Sequence, residues 1–241
     1  MKKIIILSVM AALSFSPCEG QTEDQSVNSQ QIKSFYVTAP GGLSLREYNN
    51  LNSTKLAIMP YGTKIDVVAL ELNSTMNIKG VKGGMHQVLY NNKIGFAFSG
   101  YLSELFPPEN GSSAKVYIED LKFSHFDASF QSCVGGTASM PSLTETTLLP
   151  TSKWNEAWLI AKKLYNIPSE FGMPNPRGRN AQTFKSKNES DTFMSQLRVI
   201  RNDDSLVEIV YFNATDSFGS FVKIKQHGAS MMEIEFYEII K

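Results

Sequence analysis

The chain has 241 residues, 42% of them hydrophobic and 11% aromatic, which is enough apolar material for one or two ordinary cores. Its 23 basic and 23 acidic residues cancel, leaving no electrostatic footprint for a nucleic-acid partner and excluding that class. The 2 cysteines, Cys18 and Cys133, exclude a disulfide framework, because Cys18 falls in a targeting segment and Cys133 is then without an intramolecular partner.

Residues 1–20 read as an export signal. Lys2 and Lys3 form its basic region, 4–13 its apolar run and 14–20 a tail of small residues. The run is too short to cross a bilayer as a helix, and no other stretch is long enough, so no transmembrane segment is expected in the mature chain. Two endings of the signal are compatible with these residues. Cleavage after Gly20 leaves Gln21 as the new terminus, with Cys18 and Gly20 at the small-residue positions before the cut. Alternatively Cys18 is the lipid-modified first residue of an anchored protein, although Pro17 stands where such a signal has a small side chain. Both place the chain outside the cytoplasm, as a periplasmic, secreted or lipid-anchored protein.

Residues 21–33 are rich in Gln, Ser, Asn and acidic side chains and are expected to form a flexible tether. From 34 to 106 the pattern is that of strands, with apolar and polar residues alternating between Gly, Pro and Asn boundaries. Asn91-Asn92 supplies the chemistry of a tight hairpin turn. Leu43, Leu45, Leu56, Ile58, Ile65, Val67, Val88, Ile94 and Phe96 form the expected interior, 49–54 an exposed loop, and 70–84 a long hairpin loop.

Three blocks within this stretch carry a resemblance: Gly42-Leu43-Ser44-Leu45-Arg46, Pro60-Tyr61-Gly62-Thr63-Lys64, and Tyr90-Asn91-Asn92-Lys93-Ile94-Gly95-Phe96-Ala97. In order and spacing they resemble the bacterial SH3-like (SH3b) domain, which implies an all-β barrel over 34–106. The chain departs from that pattern at Met85-His86-Gln87-Val88, where the resemblance leads one to expect a Trp. A groove on such a barrel would have to be lined by the remaining rings, Tyr36, Tyr61, Tyr90, Phe98 and Tyr101, and edged by polar groups such as Arg46, Asn49 and Asn91. The resemblance implies peptidoglycan peptide, or an envelope protein, as the partner class.

The prolines and Asn-Gly-Ser-Ser of 107–114 mark a linker. Beyond it, 115–119 and 122–126 have strand-like alternation, and 132–142 reads as a loop carrying Cys133. Thr151-Ser152 is placed to cap a helix whose apolar stripe is Trp154, Trp158, Ile160, Ala161, Leu164 and Tyr165, with Lys153, Asn155, Lys162 and Lys163 left to water. Pro168 ends it, and 169–190, with Arg177 and Arg179, is expected to be a surface excursion. Residues 193–201, 206–212, 220–226 and 231–239 then form an antiparallel meander with one wet face and one face under the helix. The expected fold is thus an SH3-like barrel followed by an α+β domain over 115–241.

Catalysis by a cysteine nucleophile requires an activated thiol beside an imidazole. Cys133 with His125 or His227 offers the residue types, yet Gln131-Ser132-Cys133-Val134-Gly135 lacks the Asp-Cys-Ser-Gly of the NlpC-type cell-wall peptidases. His86, His125 and His227 lack the short-range pairing of a metal site, and no cofactor is expected. The reading favoured by the sequence is a non-catalytic exported envelope protein that binds a cell-wall peptide or protein through its SH3-like part. The alternatives are a cysteine hydrolase using Cys133 and a spacer with no small ligand.

Overall fold

The computed structural model describes residues 33–240, so the expected signal, tether and Cys18 lie outside the described residues. The described chain is mostly antiparallel β-sheet with two α-helices, arranged as two seven-stranded sheets and one small ribbon. The first sheet is built from β1 (Lys33–Val37), β2 (Leu43–Arg46), β3 (Lys55–Met59), β4 (Lys64–Ala69), β7 (Met85–Tyr90), β8 (Lys93–Phe98) and β9 (Leu102–Ser103). Its order is β3-β2-β8-β7-β4-β1-β9, and no ladder joins β3 to β9 among the described strands, so the hydrogen-bonded sheet is open. Period-two alternation drives this half. Leu43 and Leu45, Ile65 and Val67, and His86 and Val88 fall inside, while Ser44, Asp66 and Gln87 face outward.

The Asn-rich turn is as the sequence requires. Asn91 and Asn92 adopt φ of 48° and 60°, a left-handed pair matching the twist of β7 and β8. Two expected interior residues are misplaced, since Ile58 is 61% and Ile94 57% exposed, and Leu56 and Phe96 are only half-buried. Both Ile58 and Ile94 lie on outer strand positions where alternation forces them away from the core. The expected loop over 70–84 contains its own ribbon, β5 (Met76–Ile78) and β6 (Val81–Gly83).

The second half departs from expectation first at residues 114–126. These form a helix, α1 (Ala114–Leu121), and a following turn rather than two strands. Ser113 caps the helix by accepting the Val116 N–H at 3.3 Å, and Ala114, Tyr117, Ile118 and Leu121 bury one stripe at helical spacing. Residues 132–142 likewise are not a loop. They lie in a hairpin of β10 (Ser129–Thr137) and β11 (Met140–Leu149), whose polar residues are paired through their main chains. Gly136, at φ 82°, makes the turn possible.

The meander is present as β13 (Phe193–Asn202), β14 (Ser205–Thr215), β15 (Phe218–His227) and β16 (Met231–Ile240), and β11 adds to β16. The expected surface excursion contributes the edge strand β12 (Ala181–Lys185), and its Phe171 is buried. On the wet face Lys223 pairs with Glu235 at 2.5 Å and Lys225 with Glu233 at 3.1 Å, directly across β15 and β16. The other face packs on α2 (Trp154–Leu164), whose Trp158 is 1% exposed. α1 joins it in the same apolar cluster, so the sheet has two helical covers where the sequence suggested one. The expected cap is also shifted: Lys153 occupies the N-cap position without a side-chain capping bond, and Thr151 accepts the Lys153 N–H at 3.1 Å and donates to Glu156.

Two apolar clusters result, one under each sheet, and Met173 packs against both. Gly80, at φ 88° between β5 and β6, lies against the Met173 carbonyl, and a Cβ there would run into that oxygen. Gly80→Ala should therefore lower stability by about 1–3 kcal/mol through left-handed strain alone, with the clash adding to it. Urea unfolding monitored by tryptophan fluorescence measures the shift in midpoint.

Candidate binding site

Between the halves runs Phe106-Pro107-Pro108. The two prolines have no N–H to give a ladder, and both are buried. The neighbouring carbonyls are taken by tyrosines from either side: Tyr117 Oη of α1 donates to Phe106 O at 3.0 Å, and Tyr61 Oη donates to Pro108 O at 2.9 Å. Tyr61 is presented by the turn between β3 and β4, where Gly62 takes φ 79° and its N–H donates to Val37 O at 2.8 Å. Phe106 meets Tyr36 and Tyr117 edge to face, with centroids 6.1 and 5.4 Å apart. Burial pushes the Tyr61 hydroxyl up to about 12 and raises those of Tyr101 and Tyr117, so all three remain neutral donors at physiological pH.

Tyr61 forms a wall shared by two cavities. One, of about 530 Å³, is lined by Tyr61, Tyr101, Val81, Trp158, Leu159 and Met173, with Lys79, Lys162 and Lys163 at its polar positions. The other, of about 660 Å³, is lined by Tyr61, Phe106, Val116 and Tyr117, with Glu109 and Asp120 as its charges. Asn110 lines both. Lys163 crosses the wall: its Nζ donates to Asn110 Oδ1 and stands 5.2 Å from the centre of the Tyr61 ring. Lys162 donates to Phe171 O at 2.6 Å and lies 5.7 Å from the Trp158 ring. Burial, and then the charge of Lys79, lower the pKa of the Lys162 amine.

Of the sequence-expected groove residues, Tyr61 and Tyr101 are brought together in the first cavity. Tyr36, Arg46 and Tyr90 do not line it. Tyr36 is spent on Phe106, and Arg46 Nη1 donates to Ser53 O at 2.7 Å, tying down the loop after β2. Phe98 is not a groove ring at all. It is 2% exposed, because its strand position points into the first core, where it meets Tyr101 at 5.7 Å. Asn49 and Asn91 are exposed turn residues outside the cavity. His86, near the position of the absent Trp, is buried; its Nδ1 accepts the Glu71 N–H at 3.0 Å, and burial lowers its pKa.

The site residues missed by sequence are Lys79, Asn110, Trp158, Lys162 and Lys163. The i, i+4 spacing of Trp158 and Lys162 was readable, but nothing local shows that this flank of α2 faces Tyr61. Asn155, also expected in water, donates from Nδ2 to Gly100 O at 3.0 Å and so fixes that orientation.

Cys133 is exposed on β10, and its hydrogen bond runs to its neighbour's carbonyl, Val134 O. His125 Nδ1 contacts Ser124 Oγ at 2.9 Å and His227 Nδ1 contacts Glu233 at 3.1 Å, so neither imidazole is hydrogen-bonded to the thiol. Among the described residues no three His, Cys, Asp or Glu side chains converge as metal ligands. No described helix is long and apolar enough to cross a membrane. Compared with protein-family models, curated proteins and solved structures, the chain matches none.

Tyr61→Phe should cost about 1 kcal/mol at neutral pH by leaving Pro108 O without its donor, read from the urea midpoint. Since the Tyr61 hydroxyl ionises near 10.0 in an unfolded chain and near about 12 when folded, the unfolded state loses that proton first and stability falls as pH rises across this window. The variant should fall less steeply there, measured by unfolding at a series of alkaline pH values.

Proposed function

We propose that this is an exported, non-catalytic protein of the cell envelope whose SH3-like first half binds a cell-wall peptide in the cavity between Tyr61 and Tyr101. The observation that carries the reading is that two of the rings expected to line a groove do meet in one cavity, with an apolar floor of Val81, Leu159 and Met173. Such a pocket suits a short peptide, since aromatic walls supply contact area and few polar groups fix orientation. The SH3-like assignment draws its support from the order of the three blocks, which fall on β2, on the turn between β3 and β4, and on the β7–β8 hairpin. A non-catalytic role is supported by the separate hydrogen-bond partners of Cys133, His125 and His227.

Co-sedimentation of the mature protein with purified sacculi tests this. Retention of the native protein, at least tenfold weaker for Tyr61→Ala with Tyr101→Ala and accompanied by no soluble muropeptides, is the expected result. Native retention that the double substitution leaves unchanged would remove the cavity from the account. Release of muropeptides that disappears in Cys133→Ser would replace binding with hydrolysis.

A further inference from the structure

The chain carries 23 basic and 23 acidic residues, yet the two cavities on either side of Tyr61 divide charge completely. Lys79, Lys162 and Lys163 line the first, with no Asp or Glu, whereas Glu109 and Asp120 line the second, with no Lys, Arg or His. None of the three lysines is ion-paired among the described residues, although lysines elsewhere in the fold are, including Lys33, Lys153, Lys223 and Lys225. Their hydrogen bonds go instead to neutral oxygens, from Lys162 to Ser169 O and Phe171 O and from Lys163 to Asn110 Oδ1. Lys79 is exposed at the turn between β5 and β6 and keeps its ammonium without a partner among the described residues.

We infer that the first cavity selects a ligand by its carboxylate, and that the ligand is a short peptide bearing one compact anionic group next to an apolar side chain, not a polyanion. Three lysines, two of them half-buried, line a space with an apolar floor, and an entering carboxylate supplies the missing counter-charge. Lysines act as point charges without the planar fork of arginine, which fits a compact group approached from several sides. Burial and the nearby Lys79 both make the charged form of Lys162 harder to keep without a counter-charge in the cavity. The acidic cavity limits what else can bind. A chain of repeated negative charges running past Tyr61 would bring its next charge to Glu109 and Asp120, whereas a peptide with a single terminal carboxylate would not. This assignment rests on the peptide-binding reading above and names the chemistry that the site reads.

Isothermal titration of the mature protein with three tetrapeptides of the same apolar sequence tests the inference: one with a free carboxyl terminus, one amidated, and one amidated but carrying phosphoserine. The free acid should bind at least tenfold more tightly than the amide, and the gap should shrink as salt is raised. Lys79→Gln should narrow the gap between acid and amide at least threefold, with the thermal midpoint read alongside to show that the fold is kept. Equal affinity of acid and amide overturns the inference, as does an acid that does not bind at all, an effect of the acid that Lys79→Gln leaves intact, or tighter binding of the phosphopeptide than of the acid. Sacculus retention separates this failure from failure of the parent reading: loss in Tyr61→Ala with Tyr101→Ala but not in Lys79→Gln leaves peptide binding standing and removes only the anion.

Discussion

The short strap Phe106-Pro107-Pro108 is the constraint on which the rest of the molecule depends. A buried segment must satisfy its carbonyls, and two consecutive prolines, having no N–H to give, do not extend a ladder, so side-chain donors meet those oxygens instead. Tyr117 from α1 and Tyr61 from the first sheet each supply a hydroxyl, so one strap binds both halves through two hydrogen bonds. The bonds are uncharged and shielded, which makes them costly to leave unmade. They also decide where Tyr61 stands. With its hydroxyl committed to Pro108 O, the ring has two faces turned to two different spaces, and the division between the cavities follows.

Once that ring is fixed, the charge pattern around it becomes a property of the fold and not of composition. Lys79 arrives from the ribbon of the first half, Lys162 and Lys163 from α2, and the acids from the residue after the strap, Glu109, and from α1. These segments are far apart in sequence, so the segregation exists only after the halves have packed. Met173 in both apolar clusters and Asn155 on Gly100 O keep them packed. Gly80 allows the close approach, since any side chain there would meet the Met173 carbonyl. The site is therefore composite, with its two tyrosines from one half and Trp158 and most of its cationic groups from the other.

What the sequence disclosed about this arrangement was what local patterning can carry. Alternation located most strands of both sheets, Asn91-Asn92 located a hairpin, and the Trp158 stripe located α2. Two kinds of information were hidden. At 114–121, alternating and helical patterns coincide over so few residues that Lys115 to Glu119 reads as a strand, and only the buried quartet of Ala114, Tyr117, Ile118 and Leu121 decides for a helix. At 132–142, Gly, Ser and Thr read as loop because strand formation there is set by main-chain pairing with β11, which no side chain announces. The site divided in the same way. Tyr61 and Tyr101 were legible as candidate rings, Phe98 was not separable from them before its strand face was known, and the lysines were invisible because the cavity they line is closed by residues of both halves.

The second sheet explains why α2 can serve as a cavity wall. Register carries across its strands, setting Ile209, Ile224 and Ile234 in one inner row, and on the outer face Phe212, Phe221 and Tyr237 in direct opposition. Phe221 and Tyr237 stack at 5.2 Å with an interplanar angle of 20°, so the rings lie nearly parallel and are spent on cross-strand packing. The inner face then fixes α2 through Trp158, buried at 1% exposure, and through Tyr165, stacked on Phe236 at 4.7 Å beyond the helix end. A helix pinned along that stripe has no freedom to rotate. Lys162 lies one turn beyond Trp158 on the same flank and Lys163 follows it, so both lysines are held at the cavity by packing they do not themselves provide. The sheet thus acts at the cavity from a distance, by denying the helix any other orientation.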